Sequence, residues 1–130
     1  MLLRRIDRVA QRLEELGYPS AAARRLSAGG TLLRLDAESV LCSRGERGTQ
    51  AFLLVDGQAN VLLDDETVVV EAGDVVGEIA TLDPHRTRNA TVVAAGPIEV
   101  LVYDVATYRS LAQLDDLRGR LAPERDRAAA

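Results

Sequence analysis

Apolar positions recur along this chain with two different periods, and the change of period divides it. From Leu2 to Leu16 the residues Leu2, Leu3, Ile6, Val9, Ala10, Leu13 and Leu16 are spaced three or four apart, which places them on one stripe of a helix. Gly17 is a suitable stop for that helix. A second, short helix is predicted to start around Pro19 and Ser20, to cover AAARRL and to end at Gly29 and Gly30. After Gly30 the chain turns to short β-rich runs: TLLRL, SVLC, AFLLV, ANVLL, TVVVE, ATVVA and IEVLVY. Gly45, Gly48, Gly57, Gly73 and Gly77 fall between runs, where turns form. The acidic stretch Asp64 to Glu66 marks a solvated hairpin tip. Helical spacing returns in ATYRSLAQLDDLRGRL through Tyr108, Leu111, Leu114, Leu117 and Leu121. Asp104 is placed to cap this helix, and Pro123 to stop or kink it.

These patterns predict a mainly β domain with flanking α-helices, a compact barrel or sandwich. Residues 1–30 form an N-terminal helical segment, 31–104 the β-barrel, 105–122 a C-terminal helix and 123–130 a polar, flexible tail. A chain of 130 residues makes one domain and buries a core without metal or disulfide support.

Charge narrows the function. Sixteen cationic residues, all Arg, stand against twenty acidic ones for a net charge of −4. This disfavours broad nucleic-acid binding, which runs on clustered positive charge. The lone Cys42 has no disulfide partner, its run VLC reads as buried core, and a reducing, cytoplasmic compartment is the expectation. MLLRRIDR has the wrong order of charge and apolarity for a signal peptide, and no run is long enough to insert in a membrane. Catalysis finds little support. His85 is the single histidine, too few for a cupin-type metal centre, and it lies far in sequence from Cys42. No metal site, catalytic residue or cofactor is expected, and the chain reads as a non-enzyme.

One segment carries chemistry. GEIATLDPHRTRNATVVA, residues 77–94, holds Glu78 directly after Gly77 and then Arg86 and Arg88 before a β-rich run. A ligand with both hydroxyls and negative charge would fit between them, met by a guanidinium and an acceptor. Arg88 can meet phosphate oxygens through its planar fork, and Glu78 can accept from the 2′-hydroxyl. Gly77 would let the backbone approach the sugar, and a short helical turn from Glu78 to Leu82 would favour an anion. The same charges could instead form a salt bridge that merely holds the loop.

The order of elements together with GERGTQAFLLVDGQANV, AGDVVGEIATL and the closing Arg88, Asn89, Ala90, Thr91 and Val92 resembles the cyclic nucleotide-binding domain family of catabolite activators, regulatory kinase subunits and gated channels. The resemblance covers residues 27–121. It implies a double-stranded β-helix, or jelly-roll-like, barrel with a phosphate-binding cassette at 77–92. The implied ligand-binding residues are Gly77, Glu78, Ile79, Ala80, Arg88, Asn89 and Ala90. Arg86 is the alternative phosphate residue if the loop is shifted, and Val61 or Leu63 would face the purine beneath the C-terminal helix. Asn89, where the family commonly has a smaller residue, and Thr87, where it often has Pro, depart from the pattern. The implied function is a regulatory module that binds cAMP or a related cyclic nucleotide and signals by moving its C-terminal helix. The alternative is a ligand-free scaffold for protein interaction. The terminal helices are also the expected homodimer contact.

Overall fold

The computed structural model describes residues 7–78 and 87–121. The N-terminal helix is seen there as α1 (Arg8–Glu15); Leu2, Leu3 and Ile6 of its predicted stripe lie outside the described residues. Asp7 caps it, accepting from the Ala10 amide at 2.9 Å, and Ala10 and Leu13 are buried while Val9 and Leu16 pack at the margin. Gly17, at φ +99°, turns the chain out of the helix in a conformation that other residues rarely adopt. Helix α2 (Ser20–Gly29) follows with Ala22, Ala23 and Leu26 fully buried. Ser27 Oγ donates to Asp7 Oδ1 at 2.9 Å, tying the second helix to the start of the first.

Eight strands come next among the described residues: β1 (Thr31–Leu35), β2 (Val40–Cys42), β3 (Gln50–Asp56), β4 (Gln58–Leu62), β5 (Thr67–Glu71), β6 (Val75–Val76), β7 (Thr91–Ala94) and β8 (Ile98–Asp104). They form two four-stranded sheets, β1-β8-β3-β6 and β2-β7-β4-β5, in which every pairing is antiparallel. This is the jelly-roll-like architecture expected, built as two facing sheets that do not close into one continuous barrel. The acidic stretch Asp64 to Glu66 is the tip of the β4–β5 hairpin, where the Leu63 amide donates to Glu66 O at 2.9 Å. Only β6 was not among the predicted runs, because two residues are too short for a period to show.

Two apolar clusters hold the fold. Phe52, Leu54, Val61, Val92 and Val100 lie between the sheets. Leu53, Val55, Leu101 and Tyr103, on the opposite face of the first sheet, pack against Leu13, Leu26, Tyr108, Leu117 and Leu121 of the helices. Alternate residues of β3 and β8 therefore point into different cores, as the pleat requires.

The C-terminal segment departs from a single helix. Helix α3 (Val105–Ala112) starts at Asp104, whose side chain accepts from the Thr107 amide at 2.8 Å. A series of turns then leads into α4 (Arg118–Leu121). Asp115 and Asp116 are poor interior helix residues, and Asp116 forms an ion pair with Arg25 of α2. The apolar stripe survives the break: Leu117 and Leu121 are fully buried, and Tyr108 Oη donates to Leu121 O.

Candidate functional site

The β5–β6 turn delivers the chain through Val75 and Val76 to Gly77 and Glu78, at the edge of the first sheet. Arg88 stands just before β7, which belongs to the second sheet. The loop before β3 pins Arg88 by its main chain: the Arg88 amide donates to Glu46 O at 2.7 Å, and the Gly45 amide donates to Arg88 O at 2.8 Å. An antiparallel bridge between Arg47 and Thr87 extends this ladder. The site thus lies on the seam where the two sheets meet.

Both charged side chains at the seam are enclosed, Glu78 at 2 % exposure and Arg88 at 5 %. Burying a cation is costly unless its donors are satisfied. Here Arg88 Nη1 donates to Gly77 O at 2.7 Å and Nη2 to Gln50 O at 2.6 Å. The guanidinium is therefore oriented by two main-chain acceptors contributed by different strands' ends. Each terminal nitrogen of a guanidinium carries a second N–H, so the fork has further donor capacity.

Gly77 explains its own presence, though for a reason other than the one expected from the sequence. It sits at φ +82°, and a Cβ there would come within 2.6 Å of Arg88 Nη1 and 3.1 Å of Gln50 O. The space a Cβ would take is filled by the Arg88 guanidinium. Any side chain at 77 would displace the guanidinium as well as strain the backbone.

Cys42 lies in the field of this constellation. Burial pushes its thiol up to about 11, with Arg88 opposing the shift and Glu78 and Glu46 adding to it. Sensing charges of both signs, the thiol stays protonated and chemically quiet at neutral pH. That agrees with its reading as a core residue.

The remaining expected site residues divide. Asn89 is exposed and Ala90 fully buried, so the arm after Arg88 turns one side chain to solvent and the next into the inter-sheet core. Val61 is completely enclosed in that core and backs the site instead of presenting an open wall, while Leu63 is partly buried against the same cluster. Ile79, Ala80, Asp83, His85, Arg86 and the predicted helical turn after Glu78 lie outside the described residues. Sequence reasoning missed Gln50 and Glu46, because both act through main-chain oxygens that no residue type advertises.

The family model for the cyclic nucleotide-binding domain matches residues 32–115, a span that contains both sheets and the seam. The chain belongs to the cyclic nucleotide-binding domain family. The Pycsar effector protein PaPycTIR of Pseudomonas aeruginosa is 35% identical over 91 residues, covering 69% of this chain and 30% of the effector. The cAMP-dependent protein kinase regulatory subunit of Schizosaccharomyces pombe is 37% identical over 78 residues, 58% of this chain and 18% of the subunit. The chain thus spans less than a third of either relative. The solved structure of PKAR CBD2 bound to Sp-2Cl-cAMPS superposes with a TM-score of 0.68 over 85% of this chain and 75% of that one, at 23% identity. That likeness is one of fold. Within the cyclic nucleotide-binding domain fold, Glu78 and Arg88 occupy the segment that the sequence identifies as the cassette.

Proposed function

We propose that the chain is a non-enzymatic regulatory module that binds a cyclic nucleotide, cAMP foremost, at the Glu78 and Arg88 seam. The observation that carries the reading is the enclosed guanidinium of Arg88, oriented by Gly77 O and Gln50 O, with the enclosed Glu78 next in the chain to Gly77. A guanidinium so placed, with N–H donors beyond the two used on main-chain carbonyls, favours an anionic ligand. Glu78 then accepts from a ribose hydroxyl, and the amides of Asn89 and Ala90 add donors to the phosphate. cAMP comes first because the kinase regulatory relative is named for dependence on it and the superposed structure holds a cAMP analogue. Binding orders the cassette and shifts the population of positions open to the C-terminal helices.

The two bonds from Arg88 to main-chain carbonyls also favour a second reading, in which the arginine is purely a structural brace of a protein-interaction scaffold. Calorimetric titration with cAMP and cGMP separates the two. The module reading expects saturable binding that weakens about tenfold or more in Arg88→Lys and in Glu78→Gln, the usual effect of losing a hydrogen bond to a charged group. Circular dichroism of each variant checks that the fold is kept. A well-folded wild-type chain that binds neither nucleotide supports the scaffold.

A further inference from the structure

Tyr18, in the connection between α1 and α2, belongs to neither the cassette nor the C-terminal helices, yet it touches both ends of the system. Its side chain is 3 % exposed. On one side Tyr18 Oη donates to Gly73 O at 2.9 Å. Gly73 is in the turn that begins β6, and the turn is fixed to β3 by the Gly73 amide on Leu54 O at 2.8 Å and the Leu54 amide on Asp74 O at 2.9 Å. Four residues on stands Gly77, whose carbonyl orients Arg88.

On the other side of Tyr18 lies Arg120 of α4. Its guanidinium carbon is 3.6 Å from the centroid of the Tyr18 ring, within cation–π range. Arg120 Nη1 also donates to Gly17 O at 2.7 Å, and Nη2 reaches Leu16 O at 3.5 Å. A cation is well placed at the carbonyl end of α1. One aromatic ring is therefore clamped between the last described helix and the turn that leads into the site.

We infer that Tyr18 is a positioning residue that couples docking of α4 to the conformation of the Gly73–Glu78 segment. Arg120, Tyr18 and Gly73 touch in turn, and the chain from Gly73 through β6 to Gly77 completes a connection between the C-terminal helix and Arg88. When α4 leaves, the ring loses its cap and the hold of its hydroxyl on Gly73 weakens. When the segment shifts, the ring moves and α4 is released. Such coupling is reciprocal. It rests on the cyclic-nucleotide reading only for the identity of the ligand, since the connection is made by the chain's own groups.

The test is amide hydrogen exchange on the ligand-free full chain, comparing wild type with Arg120→Gln, Tyr18→Phe and Arg118→Gln. Arg118 is the control, because its bonds stay within its own segment, on Gln113 O and Asp115. The expected result for Arg120→Gln is exchange about fivefold faster or more at residues 118–121 and also at 74–77, the low end of ordinary coupling between sites. Tyr18→Phe keeps the ring under Arg120 and drops the bond to Gly73, so 74–77 speed up while 118–121 stay protected. Acceleration confined to 118–121 in Arg120→Gln overturns the inference, and so does uniform acceleration that includes β1 and β8. A second arm adds saturating cAMP, which is expected to change protection at 118–121 in wild type and not in Tyr18→Phe. Failure of the wild-type chain to bind cAMP counts against the proposed function alone, and the ligand-free arm then decides the coupling.

Discussion

The two sheets of this domain are built alike in strand number and differ in what covers them. The sheet β1-β8-β3-β6 has helices on one face and the other sheet on the second, so the middle of β3, Ala51 to Val55, is buried without a break. Among the described residues, the sheet β2-β7-β4-β5 is covered only on its inner face. Its β4 alternates accordingly, with Ala59 and Val61 inside and Gln58 and Leu62 out. Val40 of β2 and Val69 of β5 lie on this sheet's open side, at 56 % and 51 % exposure. The lesson concerns the site. The central strands β3 and β8 of the first sheet are covered on both faces, and its edge strand β6 leads into Gly77 and Glu78, whereas Arg88 stands just before β7 of the other sheet. Ligand contacts made across the seam therefore join two sheets that are covered differently.

The sharpest way to break this comparison is to truncate neighbours on β3. Leu53→Ala and Leu54→Ala remove fully buried side chains that face opposite cores, and each is expected to cost about 2–5 kcal/mol in urea unfolding. A large cost at only one of the two would mean that this sheet is not buried on both faces. Val69→Thr, on the open face of the other sheet, should fall within about 0.5 kcal/mol of wild type. Cys42 sharpens the inner-face half of the comparison. With its thiol pushed up to about 11 by burial, it should react with a thiol reagent at pH 8 only as fast as the chain unfolds. Brisk labelling of the native protein would place it at an open surface.

The smallest expected effect is on pH. Hydrogen bonds from the Thr107 amide and then the Thr107 side chain hold the Asp104 carboxyl below its ordinary value of 3.8. A depressed acid contributes stability above its unfolded value and loses it as pH falls through the folded one. Asp104→Ala should thus destabilise the chain at pH 7, and the difference from wild type should vanish as the pH is taken well below 3.8. A difference that persists undiminished in acid would show that the carboxylate is not what caps α3.

Much of this architecture was legible in the pattern of residues, and the exceptions share a cause. The helical stripes, the strand runs, the Asp104 cap and the buried Cys42 all follow from side-chain chemistry and period. Glu78 and Arg88 stood out because charged residues flanking a glycine-led loop are conspicuous. What stayed hidden depends on main-chain atoms or on very short elements. Gln50 orients Arg88 through its carbonyl from 38 residues away, and β6 is two residues long. Gly77 could be read as a position of close approach, yet the group that approaches it is an arginine brought in by the fold. The break between α3 and α4 follows from Asp116 turning to Arg25, a tertiary contact that overrides an unbroken apolar spacing.

The central claim is that the seam holding Glu78 and Arg88 receives a cyclic nucleotide. Amide chemical shifts of the isotope-labelled chain, followed while cAMP is added, test it most directly. Saturating shifts concentrated at Gly77, Glu78, Arg88, Asn89 and Ala90 are expected. Shifts centred instead on the cavity of about 370 Å³ at the far end of β8, lined by Arg34, Asp36, Asp56 and Glu99, or no shifts at all in a folded chain, would contradict it.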